Sequence, residues 1–184
     1  MCKLIKDNIE HNYQIYSSQY IINNHRAAFY EGKHAHARFK NRFPNKESST
    51  WSYEDYNIFS LAAGSVFFYN VYKDLIFVIK NHIKPNEPIW FESWLNFHKE
   101  TEVLEWHDHA YSYHGYISID PKNTNTEFEN YSIENKIGNI YIGPGRRKHR
   151  VIVNEPYDGI RITLGFNIIM GSTTQYNIGF IPII

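Results

Sequence analysis

The sequence predicts a mainly β protein with N-terminal helices, and three observations indicate this class. After Pro88, eight short segments have strand-like length and composition, and turn-forming residues separate most of them. Before Pro85, one long segment has the three- and four-residue apolar spacing of an amphipathic helix. Histidines then recur on strand-like segments at positions that one face of a sheet can share. These patterns predict a sandwich or closed jelly roll.

Length and composition limit the class of protein and its partners. A chain of 184 residues fits one domain with a sizeable core, or a core domain with an N-terminal extension. Basic and acidic side chains number 19 each, so charge gives no general support for binding to nucleic acid or to an anionic membrane. The single cysteine, Cys2, cannot form an internal disulfide, and neither a secretory signal nor a transmembrane segment is visible. We therefore expect a cytoplasmic protein.

Residues 1–55 are predicted to be a loop-rich N-terminal extension. They include His34 and His36 among the basic residues Lys33 and Arg38, and they lack the alternation of a strand. A solvated loop is the expected structure of this segment, although a ligand role for the histidine pair and a contact with an acidic substrate remain alternatives.

Residues 56–184 are predicted to form the main domain, beginning with a helix over residues 60–82. Its apolar positions recur at three- and four-residue steps and are Leu61, Phe68, Tyr72, Leu75 and Ile79. Prolines at 85 and 88 follow the helix and prevent its continuation. Because its apolar face is broad, we expect the helix to pack against the outside of the β-barrel.

The predicted strands follow Pro88. They are Trp90–Phe97, Val103–His107, Gly115–Ile119, Glu127–Ile133, Asn139–Ile142, Arg150–Val153, Ile160–Asn167 and Tyr176–Ile184.

Three histidines form a candidate metal site. His107 and His109 lie on one face of an extended segment because strand side chains alternate with period two, and His149 follows the tight Gly143-Pro144-Gly145 segment. Imidazole suits iron, zinc, copper and nickel, and coordination positions left open would make such a site catalytic. The alternative is chance, since the chain contains ten histidines.

Arg161 is a candidate anion-binding residue. It stands in an apolar strand, where an unpaired guanidinium is costly to bury, so an anionic ligand or an internal salt bridge to Asp or Glu must offset its charge. A guanidinium matches a carboxylate with two parallel hydrogen bonds. Thr163, two residues along, shares its strand face and could add a hydroxyl hydrogen bond.

Several motifs, in this order, resemble one enzyme family. They are Asn57 to Ala62, Ser93-Trp94-Leu95-Asn96, Glu105 to His109, His114 to Ile119, Gly138 to His149, and Arg161 to Asn167. Over about residues 50–168 the chain resembles the 2-oxoglutarate/Fe(II)-dependent oxygenases common in marine bacteria and their phages. The resemblance implies a double-stranded β-helix, a cupin-like jelly roll, with Fe(II), 2-oxoglutarate and O2 as cofactors.

The resemblance also implies roles for individual residues. His107 and His149 would be metal ligands, and Arg161, Thr163 and Asn96 would lie at the cosubstrate. The third ligand departs from the His-x-Asp or His-x-Glu pattern of many such enzymes: His109 is favoured, Asp108 is an alternative, and a site without a third protein ligand is another. His114 and Tyr116 would lie on the substrate side, although His114 could equally be a core residue.

The expected activity is therefore hydroxylation of a C–H bond with release of succinate and CO2. The substrate, a small molecule or a protein, is not identifiable, and a homodimer is left open. A phage-encoded protein would act in the host cytoplasm. Two other functions remain: a three-histidine cupin-like metal enzyme without 2-oxoglutarate, and a non-catalytic jelly-roll binding module.

Overall fold

The protein consists of two antiparallel β-sheets and a layer of helices. The computed structural model describes residues 2–44, 57–102, 104–171 and 179–183. The strands are β1 Cys2–Asn8, β2 Tyr13–Ser18, β3 Ile89–His98, β4 Tyr113–Asp120, β5 Thr124–Phe128, β6 Ser132–Glu134, β7 Asn139–Pro144, β8 His149–Val153, β9 Arg161–Met170 and β10 Ile181–Ile183. The α-helices are α1 Gln19–Asn23, α2 His25–Arg42 and α3 Val66–Ile83, and 3-10 helices cover Ile58–Ala63 and Glu100–Glu102.

The two sheets face each other as in a jelly roll. The larger has the order β1-β2-β7-β4-β9-β3-β10, and the smaller has the order β6-β5-β8. Every strand pair is antiparallel. Where the sheets meet, a cluster of buried side chains joins them: Tyr13, Ile15, Tyr116, Phe128, Ile133 and Tyr141. The mainly β architecture expected from the sequence is therefore present.

Helix α3 covers the other side of the seven-stranded sheet. It begins after Ser65, whose hydroxyl accepts a hydrogen bond from the amide of Phe68, and it ends at Lys84, which has a left-handed φ of 48°. Of the apolar positions that the spacing picked out, Phe68, Leu75 and Ile79 are buried against the sheet, and Leu61 and Tyr72 pack half-buried at its edge. The expected single helix over 60–82 is instead divided near Gly64 into the 3-10 helix and α3.

The expectation of a loop-rich N terminus is wrong for the residues described there. Strands β1 and β2 pair with each other, and β2 also pairs with β7, so this segment extends the large sheet. His34 and His36 lie in helix α2, not in a loop. The buried residues of α2 are Ala28, Gly32, Ala35 and Phe39. They recur with helical spacing, but basic residues between them obscure the pattern in the sequence. The expected boundary between residues 55 and 56 lies outside the described residues.

Two of the predicted strands are not found as single strands in the structure. Val103–His107 is not a strand: residue 103 lies outside the description, and His107 forms only an isolated bridge to His149. Glu127–Ile133 is divided between β5 and β6, because residues 129–130 form the bend of a hairpin. The remaining predictions overlap observed strands with shifted ends, and Tyr176–Ile184 corresponds to β10 where it is described.

Alternation along the central strands gives the large sheet two different surfaces. On β9, Ile162, Leu164 and Phe166 face the helices and belong to the apolar core. The intervening Arg161 and Thr163 line a cavity between the two sheets. We call these surfaces the helix face and the cavity face. Among the described residues, the structure has no helix long and apolar enough to span a membrane.

Candidate metal and anion site

The cavity face is organised as rows of side chains across β3, β9 and β4. The first row contains Glu92, Asn167 and His114, and the second contains Trp94, Gly165 and Tyr116. The third row contains Asn96, Thr163 and Ser118, and the fourth pairs His98 with Arg161. The register of the strands thus places the His114 imidazole at one end of the cavity face and the Arg161 guanidinium, beside the His98 imidazole, at the other.

The structure brings the three predicted metal-binding histidines together. Each of His107, His109 and His149 offers a ring nitrogen, and these nitrogens lie within 4.8 Å of one another. One ion with bonds of about 2.1 Å holds two imidazole nitrogens at most about 4 Å apart, so small rotations would close the set around it. Backbone hydrogen bonds between His107 and His149 in both directions fix the first and third residues. The arrangement is a three-histidine cluster.

Hydrogen bonds to the backbone orient two of these rings for metal binding. His107 Nδ1 lies 2.7 Å from the carbonyl oxygen of Glu105, and His149 Nδ1 lies 2.9 Å from that of Arg147. A carbonyl only accepts, so Nδ1 carries the proton in each ring. The lone pair is then on Nε2 and available to a metal, as in many metalloenzymes whose ligating histidines are held from behind.

Burial keeps two rings of the cluster, those of His109 and His149, uncharged. It lowers the pKa of His109 to about 3, and nearby His149 and His107 add to the effect. Burial, followed by the influence of His107, lowers the pKa of His149 to about 4. Both rings are therefore neutral at pH 7, which is the form that binds a metal.

Asp108 is not part of this cluster. It is exposed, whereas the adjacent His109 is buried. The opposite orientation of the two side chains agrees with the alternation of an extended segment. The structure therefore assembles the histidine set and leaves the alternative third ligand in solvent.

A fourth imidazole stands behind the three. His114 on β4 is 2% exposed, and its ring stacks with those of His109 and His149 at centroid distances of 4.9 and 4.5 Å. Its Nε2 is buried without a hydrogen-bond partner, and burial lowers its pKa well below the ordinary value. His114 thus lies in the wall of the site, next to the ligand set.

Arg161 is a buried cation that has no carboxylate partner among the residues the structure describes. It is 3% exposed, and its Nε and Nη1 atoms have no hydrogen-bond partner. Among the described residues, the ion pairs involve other side chains, so the expected alternative of an internal salt bridge is not found there. Burial lowers the pKa of Arg161 to about 10, which leaves it charged at pH 7. Such a group calls for an anionic ligand.

The other predicted cosubstrate residues lie beside Arg161. Asn96 Nδ2 donates a hydrogen bond of 3.3 Å to Thr163 Oγ1, and both side chains line the cavity. Trp94 lies flat against β9 at Gly165, where a Cβ atom would stand 2.5 Å from the indole ring. Glycine at this position therefore allows the indole to form the wall between the two ends of the cavity. Tyr116 is also in the lining.

Sequence analysis missed His98, which pairs with Arg161 across β3 and β9. Trp94, Asn96 and His98 have the period of one strand face, so the signal was present, but the predicted strand ended at Phe97. His98 is 3% exposed, and burial, followed by the charge of Arg161, lowers its pKa to about 4.

Both ends of the site open onto one narrow cavity. Its volume is about 40 Å³. Its lining includes the three histidines of the cluster and His114, together with Trp94, Asn96, Leu104, Gly115, Tyr116, Thr126, Val151, Arg161, Thr163 and Gly165. A space of this size holds a water molecule or two.

Comparisons with known proteins agree with this architecture. No protein-family model and no curated protein matches the sequence. Among solved structures, the non-heme alpha-ketoglutarate-dependent carbocyclase SnoK from nogalamycin biosynthesis matches with a TM-score of 0.58 and 11% identity, over 92% of this chain and 83% of that one.

Two further structures are similar to the same extent. The alpha-ketoglutarate-dependent epimerase SnoN, from the same biosynthesis, matches with a TM-score of 0.56 and 9% identity, over 87% of this chain and 78% of that one. A protein assigned as an oxygenase from Shewanella oneidensis matches with a TM-score of 0.55 and 12% identity, over 88% and 83%. At these identities the likeness shows a shared fold, the fold of non-heme alpha-ketoglutarate-dependent enzymes.

Proposed function

We propose that this protein is an Fe(II)- and 2-oxoglutarate-dependent oxygenase that hydroxylates a small molecule or a protein. The observation that carries the proposal is that one cavity contains three clustered imidazoles and a buried arginine, whose Nε and Nη1 have no hydrogen-bond partner among the described residues. A dicarboxylate that chelates a metal through one end needs both features. The fold shared with SnoK and SnoN supports the same function.

The histidine cluster fits a first-row divalent metal ion. His107, His109 and His149 would hold it through uncharged nitrogens, which leaves the double positive charge of the ion uncompensated by protein. A dianionic cosubstrate can supply that compensation. The chemistry that Fe(II), 2-oxoglutarate and O2 supply when bound is oxidation of a C–H bond, with release of succinate and CO2.

Arg161 would bind the far carboxylate, with Thr163 and Asn96 beside it. The cavity of about 40 Å³ is smaller than a five-carbon diacid requires, so we expect side chains on the cavity face to turn aside on binding. His114 and Tyr116 are proposed to face the substrate. Burial of His109, His149 and Arg161 limits the access of water to the site, which would protect a reactive centre from side reactions.

One observation favours a second function, that of a three-histidine metal enzyme which does not use 2-oxoglutarate. Asp108 is exposed, so the assembled ligand set has no carboxylate. In that enzyme Arg161 would bind an anionic substrate directly. Cosubstrate use distinguishes the two functions.

The test is oxygen-dependent release of succinate from 2-oxoglutarate by the Fe(II)-loaded protein. Arg161→Ala should raise the concentration of 2-oxoglutarate required by about a hundredfold, because it removes a two-point charge-assisted contact. Arg161→Lys should recover only part of the loss, since an ammonium lacks the planar fork. Arg150→Ala is the matched control, because Arg150 is half-exposed and already paired with Glu127.

Binding can be measured without turnover, by thermal shift under anaerobic conditions with Mn(II) in place of Fe(II). We expect 2-oxoglutarate to stabilise the metal-loaded protein and Arg161→Ala to abolish the shift while metal content is unchanged. Metal binding with no response to 2-oxoglutarate would reject the oxygenase in favour of the second function. Absence of stoichiometric metal would reject both and favour a binding module.

A further inference from the structure

The row of the cavity face that contains Arg161 contains a second buried nitrogen base. His98 and Arg161 are directly paired across β3 and β9, with side chains on the same face of the sheet, and each is 3% exposed. A pair of residues directly opposite in an antiparallel ladder has side chains close enough to act on one ligand.

Both side chains of this row contain nitrogen atoms that lack partners. His98 Nδ1 is buried without a hydrogen-bond partner, as are Arg161 Nε and Nη1. Buried polar atoms are nearly always satisfied in native proteins. Arg161 lines the cavity and His98 is its direct neighbour on the sheet, so the unsatisfied atoms of this row mark a place for a ligand. Three such nitrogens in one row match the two oxygens of a carboxylate.

Carboxylates of the protein do not meet this demand within the described residues. Asp120, at the same end of the sheet, is paired with Lys122 at 2.9 Å and with His25 at 3.7 Å. Glu102 is exposed and acts on His98 only through its charge. Among the residues that the structure describes, no carboxylate satisfies the row, and an external carboxylate would do so.

The charges around His98 determine the pH at which its imidazole takes up a second proton. The groups that face it are Arg161 on β9, Glu102 in the 3-10 helix and His36 on α2. Arg161 in turn faces Tyr116 on β4 and Tyr157 in the loop before β9. Burial and Arg161 hold the pKa of His98 at about 4, so the ring is neutral in the free protein at pH 7.

A bound carboxylate would change this balance. Its negative charge offsets that of Arg161 and stabilises the imidazolium, so the pKa of His98 rises in the complex. We propose that His98 is a second donor to the carboxylate that Arg161 binds, and that it takes up a proton when the carboxylate enters. The inference rests on the proposed function, since it identifies the ligand as the far end of 2-oxoglutarate.

The sign of the pH dependence follows from this linkage. Affinity for the diacid should fall as pH rises through the pKa of His98 in the complex, because the bound proton is then lost. The dependence on His98 is to be measured above about pH 5, because at lower pH His149, whose pKa is about 4, also takes up protons and metal binding weakens.

The experiment is calorimetric titration of 2-oxoglutarate into the anaerobic, Mn(II)-loaded protein at pH 6.5, in two buffers of different ionisation enthalpy. We expect net proton uptake in the wild type and none in His98→Gln, which should bind about tenfold more weakly because it loses a charge-assisted hydrogen bond. His34→Gln is the matched control, since His34 is an exposed histidine of α2. Monomethyl ester of 2-oxoglutarate at the far carboxyl should show no proton uptake with any variant.

Proton uptake and affinity that are the same in His98→Gln as in the wild type would overturn the inference while leaving the oxygenase in place, provided that Arg161→Ala still weakens binding. If His98→Gln does not fold, the wild type alone decides: affinity that does not change between about pH 5 and 7 overturns the inference. Failure of the metal-loaded wild type to bind 2-oxoglutarate at all rejects the proposed function itself.

Discussion

Strand β9 contributes Ile162, Leu164 and Phe166 to the helix face of the seven-stranded sheet, and Arg161 and Thr163 to its cavity face. All five are buried, so exposure does not distinguish them. The helix face is continuous apolar packing against α3 and α2, whereas the cavity face holds polar side chains, several with unsatisfied atoms. Apolar burial on the helix face thus stabilises the folded protein, whereas unsatisfied polar atoms on the cavity face destabilise it.

The comparison explains why a buried cation is tolerated. An unpaired guanidinium costs several kcal/mol in a protein interior. Each large apolar side chain buried on the helix face contributes about 1.5–3 kcal/mol, and there are many of them. The stabilisation contributed by the helix face offsets the cost of buried polar groups on the cavity face, so those groups can serve binding, as is common at functional sites.

The largest effect should come from breaking the helix face. Leu75→Asp places a carboxylate at a position with no exposed surface, and it should lower the free energy of unfolding by about 4 kcal/mol or more. Chemical denaturation measures the change. Tyr69→Asp, on the exposed side of the same helix, is the control and should have little effect. Equal losses in both variants would show that α3 does not anchor the domain through this face.

In the three-histidine cluster, loss of a histidine should greatly weaken metal binding without unfolding the protein. His107→Ala and His149→Ala should each weaken metal binding by at least about a hundredfold, because each removes one of three ligands. Metal content after dialysis is the measurement, with exposed His34→Ala as the control. His109→Ala should weaken binding more than Asp108→Asn, and the reverse order would assign the third ligand to Asp108.

The titration of His98 should make the apo protein less stable in acid. The pKa of His98 is about 4 in the folded protein and about 6.5 in the unfolded chain. The unfolded state therefore binds more protons between these values, so stability is intact above about pH 6.5 and declines as pH falls towards 4, by about 3 kcal/mol in total. His98→Gln should have a shallower decline in denaturation experiments. Parallel curves for the two proteins would assign the acid loss to other groups.

The smallest effect should be a gain. Arg161→Met keeps the length of the side chain and removes the unpaired charge, so it should raise the free energy of unfolding by about 1–3 kcal/mol while eliminating the response to 2-oxoglutarate. Thermal unfolding of the apo protein measures the gain. Arg150→Met should give none, because Arg150 is half-exposed and paired. A loss of stability in Arg161→Met would mean that the guanidinium has a partner within the fold.

Much of the site could be predicted because strand alternation is a local property. The spacing of His107 and His109 placed both on one face, and the same rule favoured His109 over Asp108 as third ligand; Asp108 is exposed in the structure. Arg161 and Thr163 lie on one wall for the same reason. His98 was missed because the end of a strand is less certain than its periodicity.

The N-terminal segment could not be predicted in this way. Strand β1 is almost entirely exposed and three of its seven residues are charged, so it lacks apolar alternation. Its structure depends on pairing with β2, which in turn pairs with β7. The buried face of α2 includes small residues such as Gly32, which fits against Ile162 of the sheet. Contacts of this kind depend on residues distant in the chain, and composition does not reveal them.

The sequence by itself determined the mainly β architecture, the amphipathic character of α3 and the residue types of the site, because these depend on periodicity and on the chemistry of single side chains. The tertiary structure decided which of these residues meet. Strand register brought His149 to His107 and His98 to Arg161. The packing of two sheets enclosed His107, His149 and Arg161 in one cavity, and among the described residues no carboxylate forms an ion pair with the arginine. Which residues lie opposite each other depends on the register between strands, and the sequence of one strand alone does not determine that register.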